Sequence, residues 1–278
     1  MTRPRTTWLP GLALLMTGVV AASPPDDGEY LFHAAGCLAC HTAEDGEPLA
    51  GGRAFDTPFG VFYAPNITPD KETGIGSWSR TDFITALKHG RSPDGDAYYP
   101  VFPYPSYRLM SDADAAAIFR YLQTRRPVPQ RNREHELPWW LGRWMMKPWQ
   151  WWMLDEPSSR TSAPTRGDYL VNALGHCGEC HTPRKLAGVL DHSRHLGGTP
   201  SGPDGEAVPN ITPHRDDGIG KWSADDLSYF LETGALPDGD YTGSAMSEVI
   251  DNTTSRLTGQ DRAAMVEYLR SVNPVPSR

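Results

Sequence analysis

The strongest constraint in the sequence is a short pattern that occurs twice. Cys37-Leu38-Ala39-Cys40-His41-Thr42 returns 140 positions on (37 to 177) as Cys177-Gly178-Glu179-Cys180-His181-Thr182. Two thiols separated by two residues, with a histidine directly after the second, match the attachment signature of a c-type haem. On one tight turn each thiol can add to one vinyl group of the porphyrin. The adjacent imidazole then lies under the ring and supplies a nitrogen to the iron. A thioredoxin-like redox pair or half of a zinc site uses the same cysteine spacing. Against both stands the fact that the two copies, each ending in His-Thr, use all four cysteines of the chain. The sequence therefore predicts two covalently bound haem c groups. Cys37 and Cys40 hold one, Cys177 and Cys180 the other, and His41 and His181 are the iron ligands.

A chain of 278 residues has room for two domains. Its net charge of −8 argues against a nucleic-acid partner. Only 38% of its residues are hydrophobic, so two small cores are expected, each completed by its haem. Arg3 and Arg5 precede a short apolar run, Trp8 to Val20, and small residues at Val20-Ala21-Ala22. That order reads as a signal peptide over residues 1–22, cleaved before Ser23. The run is short for an uncleaved membrane anchor. Export fits the attachment pattern, and thioether formation leaves no cysteine for the disulfides an oxidising compartment would favour.

Around each attachment site the chain repeats itself. Asp27 to Gly36 and Thr165 to Gly175 read as helices leading into the cysteines, with Tyr30-Leu31 matching Tyr169-Leu170. Ala64-Pro65-Asn66-Ile67-Thr68-Pro69 matches Val208-Pro209-Asn210-Ile211-Thr212-Pro213, inside a Gly/Pro-rich stretch, 47–76, that predicts little regular structure. Gly74-Ile75-Gly76-Ser77-Trp78-Ser79 matches Gly218 to Ser223. Ser79 with Asp82, Ser111 with Asp114, Ser223 with Asp226 and Thr258 with Asp261 are helix N-cap pairs. The first of these helices should run to Lys88 and stop at Gly90.

The two repeats differ where a sixth iron ligand is needed. A low-spin haem of this kind takes methionine opposite the histidine. Met246 supplies it in the second repeat, in the loop before the last helix. The same offset puts Phe102 in the first repeat, and phenylalanine cannot ligate iron. Met110 is the nearest substitute, although its counterpart is Leu257, where an apolar residue staples the helix start. The competing reading is an iron with an open or displaceable position.

Between the repeats lies residues 127–163, with Trp139, Trp140, Trp144, Trp149, Trp151 and Trp152 beside Arg131, Arg133, Arg143 and Lys147. Three readings fit this composition: a strap packed across both domains, a partner surface, or a membrane interface. Pro138 and Pro148 limit it to short helices.

The motifs together resemble the cytochrome c subunits of bacterial periplasmic dehydrogenases for alcohols, aldehydes and gluconate. The likeness runs through Gly28-Glu29-Tyr30-Leu31 and the first attachment site, Pro65-Asn66-Ile67-Thr68, Tyr99-Pro100-Val101-Phe102-Pro103-Tyr104, and Gly175 to Arg184. Those subunits commonly have three haem domains, and this chain has two attachment sites. The family often carries Met where Phe102 stands, so ligation of the first iron does not carry over from it. The resemblance implies a mostly α fold of two tandem class-I cytochrome c domains, 23–126 and 164–278, joined by the Trp-rich bridge 127–163. It implies a periplasmic electron carrier with a dehydrogenase as donor and a cytochrome, quinone or terminal oxidase as acceptor. The alternative is a diheme redox enzyme, of peroxidase or thiosulfate dehydrogenase type, working at an open first haem.

Overall fold

The helices begin where short polar caps place them. In the computed structural model, residues 28–154, 163–185, 188–202 and 205–277 are described; the signal-peptide reading of 1–22 falls outside them. The first half contains α1 (Gly28–Ala34), the attachment turn α2 (Cys37–Cys40), a hairpin of β1 (Ala54–Thr57) and β2 (Gly60–Tyr63), then α3 (Arg80–His89), α4 (Tyr104–Tyr107) and α5 (Asp112–Gln123). A linking segment carries α6 (Met146–Leu154). The second half contains α7 (Arg166–Asp168), the second attachment turn α8 (Gly178–His181), α9 (Ala224–Thr233), α10 (Ser244–Asn252) and α11 (Gly259–Ser271). α3 and α9 each open on a complete capping box, Ser79 with Asp82 and Ser223 with Asp226. α3 ends at Gly90 in the left-handed conformation (φ 60°), as its sequence predicts.

In both halves the first helix crosses the last with no space between backbones. A Cβ on Gly28 would lie 2.4 Å from the Ala117 carbonyl oxygen, and one on Gly167 2.0 Å from that of Ala264. Tyr121 and Tyr268 close the far side of the same two crossings. Only glycine permits this approach, and it lets α1 pack on α5 and α7 on α11.

Three elements depart from expectation. The stretch 47–76 includes the antiparallel hairpin, with Ala54 paired to Tyr63 and Thr57 to Gly60. Its strands are too short for an alternating pattern to stand out among so many Gly and Pro residues. The expected plain helix over 165–175 is instead α7 followed by a π-helical turn, Tyr169–Leu174, closed by the Gly175 N–H on the Leu170 carbonyl (2.7 Å). The cause is visible in the repeat. The offset between halves is 139 at Tyr30 and Tyr169 but 140 at Cys37 and Cys177, so the second half carries one extra residue here. A π turn absorbs a single residue and keeps both ends of the helix in place. Finally, the two small cores form one. Leu31, Phe32, Met110, Ile118 and Leu122 are continuous with Leu170, Leu174, Met265 and Leu269.

A reciprocal polar exchange joins the halves beside that core. The boxes at α5 and α11 are open: Ser111 and Thr258 cap the third helical N–H, but their own N–H groups face the other half. The Tyr169 hydroxyl accepts from the Ser111 N–H (3.1 Å) and donates to Asp114 (2.5 Å). The Tyr30 hydroxyl accepts from the Thr258 N–H (3.2 Å) and donates to Asp261 (2.5 Å). Each half thus completes the helix cap of the other. Asp261 also receives a two-pronged bond from Arg166 (2.9 and 2.5 Å).

Among the described residues, the linking segment packs on the first half alone rather than as a strap across both. Met146, Leu137, Leu141 and Met145 form a second cluster with Phe62, Tyr99, Ala97 and Phe55, all in the first half. Tyr99 Oη donates to the Leu141 carbonyl (3.1 Å), and Gln150 donates to that of Gly90 (3.0 Å). Five of its six tryptophans face outward, Trp149 being half-buried: Trp139 is 95% exposed, and Trp144, Trp151 and Trp152 are more than 70% exposed. Pro148 is accommodated in the first turn of α6, where its missing N–H costs nothing. No helix among the described residues is long and apolar enough to cross a membrane.

Two outcomes follow from this packing. Gly167→Ala should destabilise the protein by roughly 1–3 kcal/mol, because the new methyl group meets backbone; denaturant unfolding measures it. At Asp261, burial pushes the carboxyl pKa up, but the bonds from Arg166 and Tyr30 more than offset it, and the pKa ends below its ordinary value. Its stabilising contribution is therefore full above the unfolded carboxylate pKa and is lost as pH falls through the lowered folded one. Asp261→Asn should flatten that acid limb in a plot of stability against pH.

Candidate functional site

Both attachment turns follow a residue in the left-handed region. Gly36 has φ 66°, which glycine adopts without cost. His176 holds the same place at φ 37°, its ring set edge-on against Tyr107 (5.3 Å between centroids). None of the four cysteines is in a disulfide. Each turn then presents its histidine in one orientation. His41 Nδ1 lies 2.8 Å from the Pro65 carbonyl, and His181 Nδ1 lies 2.7 Å from that of Pro209. A carbonyl oxygen only accepts, so Nδ1 carries the proton in both rings. Nε2 is left as the lone pair that a metal requires. Burial lowers the pKa of both histidines, which favours the neutral ring.

The loop behind each histidine is repeated bond for bond. The Gly51 N–H reaches the His41 carbonyl and the Gly198 N–H that of His181, both at 2.8 Å. Thr42 Oγ1 accepts from the Leu49 N–H (3.1 Å), and Thr182 Oγ1 from the Leu196 N–H (3.0 Å). Leu49 and Leu196 are both left-handed, φ 65° and 61°, a costly conformation held in each half by burial and by these bonds.

The asparagine after each proline does most of the anchoring. Asn66 Oδ1 accepts from the backbone and hydroxyl of Thr68, and its Nδ2 donates to the Val128 carbonyl (2.8 Å) just past α5. Asn210 does the same with Thr212 and with the Val275 carbonyl, just past α11. Asn66 and Asn210 are almost fully buried. The Pro carbonyl that orients each imidazole is therefore clamped from both sides. The repeated Pro-Asn-Ile-Thr sequence signals this site, but its role in orienting the histidine emerges only from the geometry.

The candidate sixth ligands occupy unlike settings. Met246 is partly buried in the first turn of α10. Met110 is 1% exposed, directly before the Ser111 cap, and belongs to the shared core. Phe102 lies among Tyr98, Tyr104 and Tyr107, at 5.9, 6.2 and 5.9 Å between ring centroids.

Comparison with known proteins agrees with this geometry. Residues 25–126 match the family model described as cytochrome c. A protein named diheme cytochrome c-type, from Cereibacter sphaeroides, is 42% identical over 88% of this chain and 84% of its own length. The chain belongs to the cytochrome c family. The gluconate 2-dehydrogenase cytochrome c subunit of Pantoea cypripedii is 38% identical over 94% of this chain. The cytochrome c subunit of a quinone alcohol dehydrogenase from Gluconobacter oxydans is 35% identical over 96%. The chain spans 64% and 59% of the lengths of those two subunits.

The cytochrome thus binds haem c covalently, and the residues present fit that group. Each turn offers two thiols that are in no disulfide and one imidazole whose proton is already committed to a carbonyl. Asn210→Ala should leave the N–H of the fully buried Thr212 unpaired, remove the Nδ2 donor from the Val275 carbonyl and destabilise the holoprotein by about 1–3 kcal/mol. Denaturant unfolding reads the loss, and Asn66→Ala should match it through the buried Thr68 N–H.

Proposed function

We propose that the cytochrome is an exported, periplasmic diheme electron carrier. It takes electrons from a dehydrogenase and passes them to a downstream cytochrome, quinone or terminal oxidase. The observation that carries this reading is the pair of identically fixed imidazoles, one per attachment turn, each with Nε2 left as a lone pair. The diheme relative and the dehydrogenase subunits named above support the number of haems and the class of donor.

When bound, haem c supplies a one-electron couple between ferric and ferrous iron. In this proposal Cys37, Cys40, Cys177 and Cys180 form the thioethers, and His41 and His181 are the proximal ligands. Met246 would be the methionine ligand in the second half, from a helix whose buried Ile250 one turn on marks the inward face. Met110 would be its counterpart in the first half, where it is excluded from water. The chain's own contribution is rigidity: the clamped Pro65 and Pro209 carbonyls hold both rings still, so that little rearranges when the charge on the site changes. The exposed tryptophans beside Arg143 and Lys147 suit contact with a membrane surface, where indole rings sit at headgroup depth.

A second reading rests on one observation. Met110 immediately precedes an N-cap and is packed as an apolar staple, while Phe102 stands where the second half has Met246. If packing is its whole role, the first iron has an open sixth position and the chain fits a redox enzyme. Oxidised and reduced absorption spectra of the holoprotein separate the two. The carrier reading expects two low-spin haems and a methionine–iron charge-transfer band that is diminished by both Met246→Ala and Met110→Ala. A high-spin haem that binds carbon monoxide, and that Met110→Ala does not change, would overturn it in favour of the enzyme.

A further inference from the structure

The candidate sites are not insulated from one another. Each attachment turn is held by an arginine, and a helix from the opposite half reaches the same arginine–carboxylate group. In the first half, Arg53 Nη1 donates to the Ala39 carbonyl, between the two cysteines (2.9 Å). The same nitrogen pairs with Glu248 of α10, from the second half, at 2.5 Å. In the second half, Arg184 Nη2 donates to the Glu179 carbonyl, the position equivalent to Ala39 (3.1 Å), and to the Glu179 carboxylate (2.7 Å). That carboxylate accepts in turn from Ser106 of α4, in the first half (2.7 Å). The arrangement is reciprocal, but only in the first does an ion pair itself cross between halves.

The position of Glu248 gives that pair its meaning. Met246 and Glu248 are two residues apart on α10, about 200° around the helix. Met246 shares its side of α10 with the buried Ile250, one turn on, and Glu248 lies on the opposite side, where α10 meets α2 of the first half. A single short helix therefore carries the candidate ligand of the second haem and a charged contact to the attachment turn of the first. We propose that Arg53 and Glu248 are a positioning pair that crosses between the halves, holding the Met246 helix against the first attachment turn and setting the potential of the first haem with two opposed charges. The inference rests on the two-haem reading above.

The signs follow from charge. Ferric haem carries one more positive charge than ferrous haem, so a nearby cation favours reduction and a nearby anion favours oxidation. Arg53→Gln should lower the midpoint potential of the first haem, and Glu248→Gln should raise it. Each should change its ferric/ferrous ratio at fixed potential by about two- to fivefold, the scale of a partly exposed ion-pair charge. Both shifts should shrink as ionic strength rises. Arg53→Lys should stay near the parent value.

The test is a redox titration of the full-length holoprotein followed by proton NMR. Haem signals are assigned to each site through the sequence neighbours of His41 and His181. Shifts of opposite sign at the first haem bear the proposal out. Shifts of the same sign, which loosening of the fold would produce, or no shift in either variant, overturn it. If Arg53→Gln does not fold, Glu248→Gln decides alone: a rise supports the pair, and a fall or no change overturns it. One set of haem signals instead of two would sink the two-haem reading, and the shifts at the first haem would still judge the pair.

Discussion

A carbonyl oxygen can accept a hydrogen bond but never donate one, and that asymmetry orders both candidate sites. It fixes the proton of His41 and of His181 on Nδ1 and turns Nε2 into a lone pair with one direction. The rest of the local structure keeps the two prolines in place. Asn66 and Asn210 join the proline loops to the chain beyond the last helix of each half. Those last helices are held by the first ones, at crossings only glycine allows. An imidazole orientation is thus tied to a helix contact many residues away.

Much of this was legible because it is local. The capping boxes at Ser79 and Ser223 need only residues three apart, and the stop at Gly90 needs one glycine. The attachment turns need five consecutive residues. What the sequence hid depends on distant partners or on a missing count. Ser111-x-x-Asp114 reads like Ser79-x-x-Asp82, yet the first admits a tyrosine from the other half while the second closes on itself. Nothing within four residues distinguishes them. The extra residue before Cys177 is readable from the offsets, 139 at Tyr30 and Tyr169 against 140 at the cysteines, but the π turn at Tyr169–Leu174 that absorbs it is not, because a loop could take up one residue equally well. The merged core is not readable from composition, because hydrophobic content measures how much apolar surface exists and not how many clusters it forms.

Against a repeat this faithful, the departures stand out. Phe102 replaces the methionine of the other half. Arg166 reinforces Asp261, while the buried Asp114 carboxylate rests on the Tyr169 hydroxyl. The inserted tryptophan segment packs its apolar residues on the first half and turns its indoles outward. All three sit at or near the distal loops, the joint between halves, or the outer surface. The proximal loops, where the histidines are oriented, stay alike.

The exchange of tyrosines sets the smallest piece of this chain that can exist by itself. Cutting between the halves would leave Asp114 or Asp261 buried beside a helix start that no longer has its hydroxyl, and would turn one face of a shared interior toward water. A repeat in sequence ordinarily suggests two units that can be taken apart. Here each half is part of the other's scaffold, so the repeat marks no place where the chain can be divided.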